Sequence, residues 1–185
     1  MIYLPGDNDI GGEGSDYVTQ AKLDRFRSHF PSAEETVVRH LDLISVNRIL
    51  GDLNLIQEQW AIRNNNKSID SSGFRAVLSH IPLTFINGVF SREVLTRLKP
   101  QLILSAHDHR LAAATTRLDD DTFVIEEPFH DLRGGLKKRL NDFECLEIMF
   151  PTCSYRMGVP RTGYGYVVIG ESIPSLPYYF YFYSF

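Results

Sequence analysis

Three observations predict a mixed α/β sandwich. Short apolar runs alternate with segments of helical spacing as far as Ser105. Beyond Ser105, runs of strand length dominate. Residues able to bind or react stand just past the ends of several runs, where α/β sheets gather their sites.

The elements follow in order. Residues 1–4 read as a strand, and residues 6–14 as a glycine-rich loop. Residues 20–30 carry Ala21, Leu23, Phe26 and Phe30 on roughly one side of a helix, and Pro31 stops it. Residues 41–46 are apolar and partly alternating, a strand closed by Asn47. Residues 50–70 are polar and asparagine-rich, predicting a loop with room for a short helix. A strand over 74–78 leads to His80. A helix over 91–98 has Ser91 as its N-cap and Pro100 as its stop. Residues 102–105 form a strand that ends at a His-x-His pair. Further strands are expected over 122–125, 144–150 and 164–169, with a charged insertion at 126–142. Leu118-Asp119-Asp120-Asp121-Thr122 reads as a hairpin turn with solvated charges. No repeat or linker interrupts the chain. One domain over 1–170 is expected, followed by a tail at 171–185 in which Tyr and Phe crowd together. That tail is either a disordered end or a membrane-proximal segment, because aromatic side chains favour membrane interfaces.

Composition narrows the class. A chain of 185 residues, 43% hydrophobic and 23% charged, has material for one core. A net charge of −4 argues against a general nucleic-acid binder, which needs a basic face. Cys145 and Cys153 are too few for a disulfide framework or a zinc knuckle and read as buried thiols. No signal peptide is visible, and no run reaches the roughly 18–20 apolar residues of a membrane span.

The chemistry concentrates in three places. Pro5-Gly6-Asp7-Asn8-Asp9 follows Ile2-Tyr3-Leu4, Ser79-His80-Ile81-Pro82 follows Ala76-Val77-Leu78, and Ser105-Ala106-His107-Asp108-His109 follows Leu102-Ile103-Leu104. His107 and His109 flank one residue, so in extended or turn backbone both can face the same way. Lone histidines are more often surface or core residues than ligands. A pair past a buried strand, with His80 in the same setting, reads instead as metal ligands. Oxygen and imidazole donors together suit manganese, iron or zinc better than calcium. Asp7 and Asp9 also suit a turn. An EF-hand is excluded, because the twelfth position of such a loop falls on Val18 rather than Glu. His29, His40 and His130 lack a strand-end setting and read as structural or surface residues. The basic run from Arg133 to Arg139 offers a phosphate or lipid-headgroup contact, with a solvated loop as the plainer reading. Arg156, beside Tyr155, has the geometry either to clamp phosphate or to form an ion pair at the core edge.

These blocks resemble the calcineurin-like metallophosphoesterases. Gly6-Asp7-Asn8-Asp9 is similar to that family's Gly-Asn-His-Asp block, Ser79-His80 to its Gly-His block, and Ala106-His107-Asp108-His109 to its Gly-His-x-His block. Leu4-Pro5-Gly6-Asp7-Asn8-Asp9-Ile10-Gly11-Gly12-Glu13 and Pro151-Thr152-Cys153-Ser154-Tyr155-Arg156-Met157-Gly158 resemble the membrane-bound branch of cell division control protein 1 homologues. That branch includes the phosphodiesterase that removes ethanolamine phosphate from glycosylphosphatidylinositol anchors in the endoplasmic reticulum or Golgi. The resemblance runs from about Met1 to Ile169. It implies an α-β-β-α sandwich of two mixed sheets that is N-terminally incomplete, because the family's first two metal blocks have no counterpart here.

By the resemblance, Asp7, His80 and His107 hold one divalent ion and His109 belongs to a second, with manganese expected first and iron or zinc as alternatives. The resemblance also implies a phosphoester substrate, a lipid-linked glycan among the candidates, a membrane as partner of the longer protein, and no nucleic acid. Two catalytic positions fall on Asn8 and Asp9. Where the family has a histidine that protonates the leaving group, Asn8 offers only an amide hydrogen bond, and Asp9 loses the partner it would orient. A metal-dependent hydrolase is therefore one expectation. A non-catalytic fragment or pseudoenzyme that binds metal or a partner is the other.

Overall fold

The computed structural model describes residues 1–31, 35–38, 41–51, 74–118, 123–124, 136–138, 140, 143–152, 158, 163–168 and 178–184. In chain order the elements are α1 (Asp7–Ile10), α2 (Gln20–His29), β1 (Glu35–Val38), β2 (Leu41–Val46), β3 (Phe74–Ser79), α3 (Val89–Leu98), β4 (Leu102–Ser105), β5 (Ala112–Arg117), β6 (Phe123–Val124), β7 (Leu136–Lys138), β8 (Glu144–Met149), β9 (Gly163–Val168) and β10 (Tyr178–Ser184). The fold is α/β, with few helices and a mixed main sheet.

That sheet has seven strands in the order β1-β2-β3-β4-β8-β5-β6. Its centre is parallel: β2 pairs with β3, β3 with β4, and β4 with β8. Its flanks are antiparallel, β1 on β2 at one side and β5 on β8 and β6 at the other. The parallel centre has one consequence for function. The chain leaves β2, β3 and β4 at the same edge, so Asn47, His80 and His107 all emerge there.

Strand alternation divides the core into two faces. Ile44, Val46, Val77, Ile103 and Cys145 meet Val94, Leu95 and Leu98 of α3 on one face. The buried positions of α3 follow helical spacing, and each such aliphatic side chain contributes roughly 1.5–3 kcal/mol. On the other face lie Phe74, Ala76, Leu102, Ala113, Leu146 and Ile148, against which Leu140 and Val167 of β9 pack. Burial pushes the Cys145 thiol, which is free, well above its ordinary range. Cys153 lies outside the described residues.

Several expectations are corrected. Residues 1–4 carry no strand pairing among the described residues, and Tyr3 instead packs against Phe30 with ring centroids 5.3 Å apart and planes tilted by 49°. The glycine-rich loop contains α1, one helical turn in which the Asp9 carboxylate accepts the Gly6 N–H at 2.9 Å. The third helix starts at Val89 with Gly88 as N-cap, and Ser91 sits buried inside its first turn. β5 was not anticipated. Its alanines have low strand propensity, but five successive buried residues suit a strand covered on both faces. The charged insertion contains β7. Residues 178–184, expected as an appended tail, form β10, the middle strand of an antiparallel sheet ordered β7-β10-β9. The proposed loop over 50–70 falls largely on residues outside those described.

Other expectations hold. α2 occupies 20–29, and its N-cap Thr19 accepts from the Lys22 N–H. Asn47 closes β2 by accepting the N–H groups of Ile49 and Leu50 at 3.0 and 3.2 Å, an Asx turn. β5 and β6 pair antiparallel with Thr116 opposite Phe123, while residues 119–122 of the expected hairpin turn lie outside the described residues. Among the described residues, no helix is long and apolar enough to cross a membrane.

Candidate metal centre

Three segments converge at the carboxyl edge of the parallel strands. Asp7 opens α1 and is 6% exposed. His80 follows β3, and His107 follows β4. The His80 Nε2 lies 2.6 Å from Asp7 Oδ1, and the His107 Nδ1 lies 3.3 Å from the same oxygen. The two imidazoles meet edge to face, with ring centroids 5.3 Å apart and planes at 79°. One ligand atom from each of Asp7, His80 and His107 lies within 4.8 Å of the other two, so these side chains form a group able to hold a metal ion. A cavity of about 130 Å³ is lined in part by His80, Pro5 and Asn47.

The local backbone explains the convergence. Gly6 has an extended φ of −94°, and a β-carbon there would stand 3.0 Å from His80 Cε1. The absent side chain therefore leaves the slot into which the imidazole fits. His107 has a φ of 72°, and the Asp108 N–H donates to the Ala106 carbonyl at 3.0 Å, closing a γ-turn around His107. A non-glycine residue in left-handed backbone costs on the order of 1–3 kcal/mol and persists where its surroundings enforce it. Here the Ala106 N–H donates to the His80 carbonyl at 3.0 Å, tying the two histidine loops together.

The charge balance favours an anionic ligand. Burial would raise the Asp7 carboxyl. The hydrogen bond from His80, its own backbone N–H, the contact with Glu13 and the charge of His80 outweigh that and hold it below the ordinary carboxylate value. One carboxylate oxygen and two imidazole nitrogens are donors that suit divalent transition metals.

The remaining candidates divide. His109 is half-buried with a φ of 56°, and it stands outside the group formed by Asp7, His80 and His107. That placement agrees with the assignment of His109 to a second ion rather than to this group. Asn8 and Asp9 are exposed on α1. Asp9 serves as a cap, and Arg25 donates to its backbone carbonyl at 3.2 Å. Asp108 faces Arg110 at 3.4 Å on the surface. His29 ends α2 with its Nδ1 2.8 Å from the Arg25 carbonyl. His40, His130, Tyr155, Arg156 and most of the basic run from 133 to 139 lie outside the described residues.

Two charged residues that motif reading passed over grip the chain leaving His80. Glu147 is fully buried in β8 and accepts the N–H groups of Leu83 and Thr84 at 2.9 and 2.6 Å, together with the Thr84 hydroxyl. Arg48 donates to the carbonyls of Pro82 and Ile86 at 2.6 and 2.5 Å and to Ser91 Oγ at 3.0 Å. Burial lowers the Arg48 guanidinium from its usual value, and the charge of Glu147 opposes that shift. The sequence signal was present: Glu147 is the lone charge within Cys145-Leu146-Glu147-Ile148-Met149. A charge inside a buried strand requires partners.

Compared with protein-family models, curated proteins and solved structures, the chain gives no significant match.

Proposed function

We propose that this chain carries a divalent-metal site of a phosphoester hydrolase, acting on phosphodiesters. The observation that carries the reading is the meeting of Asp7, His80 and His107 within 4.8 Å, from three segments far apart in sequence. The order of the blocks, each beside the same sheet edge, supports the calcineurin-like assignment. So does a sheet with a helix on one face and Val167 of a second sheet on the other. Ethanolamine phosphate on a lipid-linked glycan, met at an endoplasmic reticulum or Golgi membrane, is the substrate the resemblance favours. Manganese is the first choice of ion, with iron and zinc next. By the resemblance, His109 would serve a second ion.

A bound divalent cation would polarise a phosphoryl oxygen and activate water. The chain's own groups do the rest. Asp7 would offer such an ion a carboxylate oxygen and His80 and His107 one imidazole nitrogen each, while the Gly6 slot fixes one imidazole and the γ-turn fixes the other. Asn8, exposed beside Asp7, can donate an amide hydrogen bond to a leaving oxygen but cannot protonate it. Esters with good leaving groups should therefore be cleaved preferentially. The same residue favours a second reading, a domain that binds metal without turnover.

Manganese titration combined with hydrolysis of an aryl and an alkyl phosphodiester tests both. The expected result is manganese binding, slow aryl cleavage abolished by His80→Ala, and a gain in Asn8→His that is larger for the alkyl ester. General acid help is worth about 10²–10⁴-fold, which bounds that gain. Binding without turnover in either protein would favour the non-catalytic reading. Failure to bind manganese, iron or zinc would end both.

A further inference from the structure

We infer that Glu147 is a positioning residue for His80, a role that rests on the metal reading of Asp7, His80 and His107. Its place in the sheet makes the argument. β8 lies two strands from β3, with β4 between them. By strand alternation Glu147 shares the helix-side face with Cys145. The chain leaves β3 at Ser79, whose hydroxyl donates to the Ile81 carbonyl at 2.6 Å. It then crosses above β4 and ends its crossing on Glu147, through Leu83 and Thr84. β4 is the strand that delivers His107. Glu147 therefore sets how far the His80 loop reaches across the strand that carries the other imidazole.

The chemistry of the anchor is specific. Leu83 N–H, Thr84 N–H and Thr84 O–H all point at the two oxygens of one side chain. Three donors need acceptors, which a carboxylate supplies at both oxygens. Glutamine has the same shape but would turn an NH₂ toward one of these N–H groups. Arg48 holds the same loop from its other side by its carbonyls, so the segment is gripped through both kinds of backbone group. A fully buried carboxylate is expensive to desolvate and repays that cost only through its partners. These three hydrogen bonds all go to the loop that follows His80. Any change in Glu147 is therefore transmitted to that loop.

Cobalt(II) tests the inference, because its visible absorption reports ligand geometry as well as affinity. The full chain is titrated as wild type, Glu147→Gln, Thr84→Val and Phe74→Leu. Outer groups that orient metal ligands typically contribute about 10–100-fold in affinity. Glu147→Gln is expected to bind cobalt about tenfold more weakly or worse, with a shifted or weakened visible band. Thr84→Val loses only the hydroxyl bond and should move both readouts less, in the same direction. Phe74→Leu removes core contacts on the opposite face of the sheet, at the start of β3 and away from the loop. It should lower the melting temperature while keeping wild-type affinity and spectrum, which separates positioning from general stability. Wild-type affinity and spectrum in Glu147→Gln overturn the inference. If Glu147→Gln does not fold, the same result in Thr84→Val overturns it. Absence of cobalt binding by the wild type would remove the metal reading itself, and this inference with it.

Discussion

At residue 6 a missing side chain does positional work. The backbone there is extended, so alanine would meet no conformational penalty, yet its β-carbon would press on the His80 ring at 3.0 Å. Gly6→Ala should therefore leave the fold intact and push the imidazole away from Asp7. We expect metal affinity to fall about tenfold, as for other disturbed ligand supports, with little change in melting temperature. Calorimetric titration beside a thermal melt checks this, and unchanged affinity would show that the slot does not matter. Asp7, His80 and His107 were legible because residue type and strand-end position coincide at each. The backbone around His109 was less legible. Left-handed φ occurs at both 107 and 109, a turn that residue types alone do not announce. Glu147 was overlooked because a single charge in a strand looks like an outward-facing residue until the register is known.

Among the elements, β2, β3 and β4 were readable because each is a short apolar run bounded by turn residues. β10 was not, since Tyr and Phe at nearly every position show no alternation from which a strand could be read. Its identity comes from its neighbours: Tyr179 stands opposite Lys137 of β7 and Val168 of β9. A middle strand tolerates proline poorly, because an N–H of the ladder is lost. Tyr179→Pro should accordingly speed amide exchange across β9 by about tenfold, the equivalent of one lost hydrogen bond. The amides of β3 and β4 should stay protected, as they belong to the other sheet. Hydrogen exchange read by mass spectrometry distinguishes the two sets. Unchanged protection in β9 would mean that residues 178–184 do not pair there.

For the molecule as a whole, the site links distant parts of the chain. Residues 7, 80 and 107 come together only when α1, β3 and β4 are assembled on one sheet edge, so an unfolded chain offers no comparable group. A ligand that binds only the folded state stabilises it by mass action, about 2.7 kcal/mol at a hundredfold excess over its dissociation constant. For a chain of 185 residues, each kcal/mol moves the melting temperature by roughly 2–4 °C. Saturating manganese should therefore raise the transition by roughly 5–10 °C, and a chelator should reverse the shift. His107→Ala removes one of three donors and should abolish most of it. His29→Ala, on the exposed end of α2, should retain it in full, because that imidazole meets Ser28, the Arg25 carbonyl and Phe30 and stands outside the Asp7, His80 and His107 group. A shift that survives His107→Ala would place the ion elsewhere on the molecule. A shift lost equally in His29→Ala would mean that the metal acts through general electrostatics rather than through this cluster.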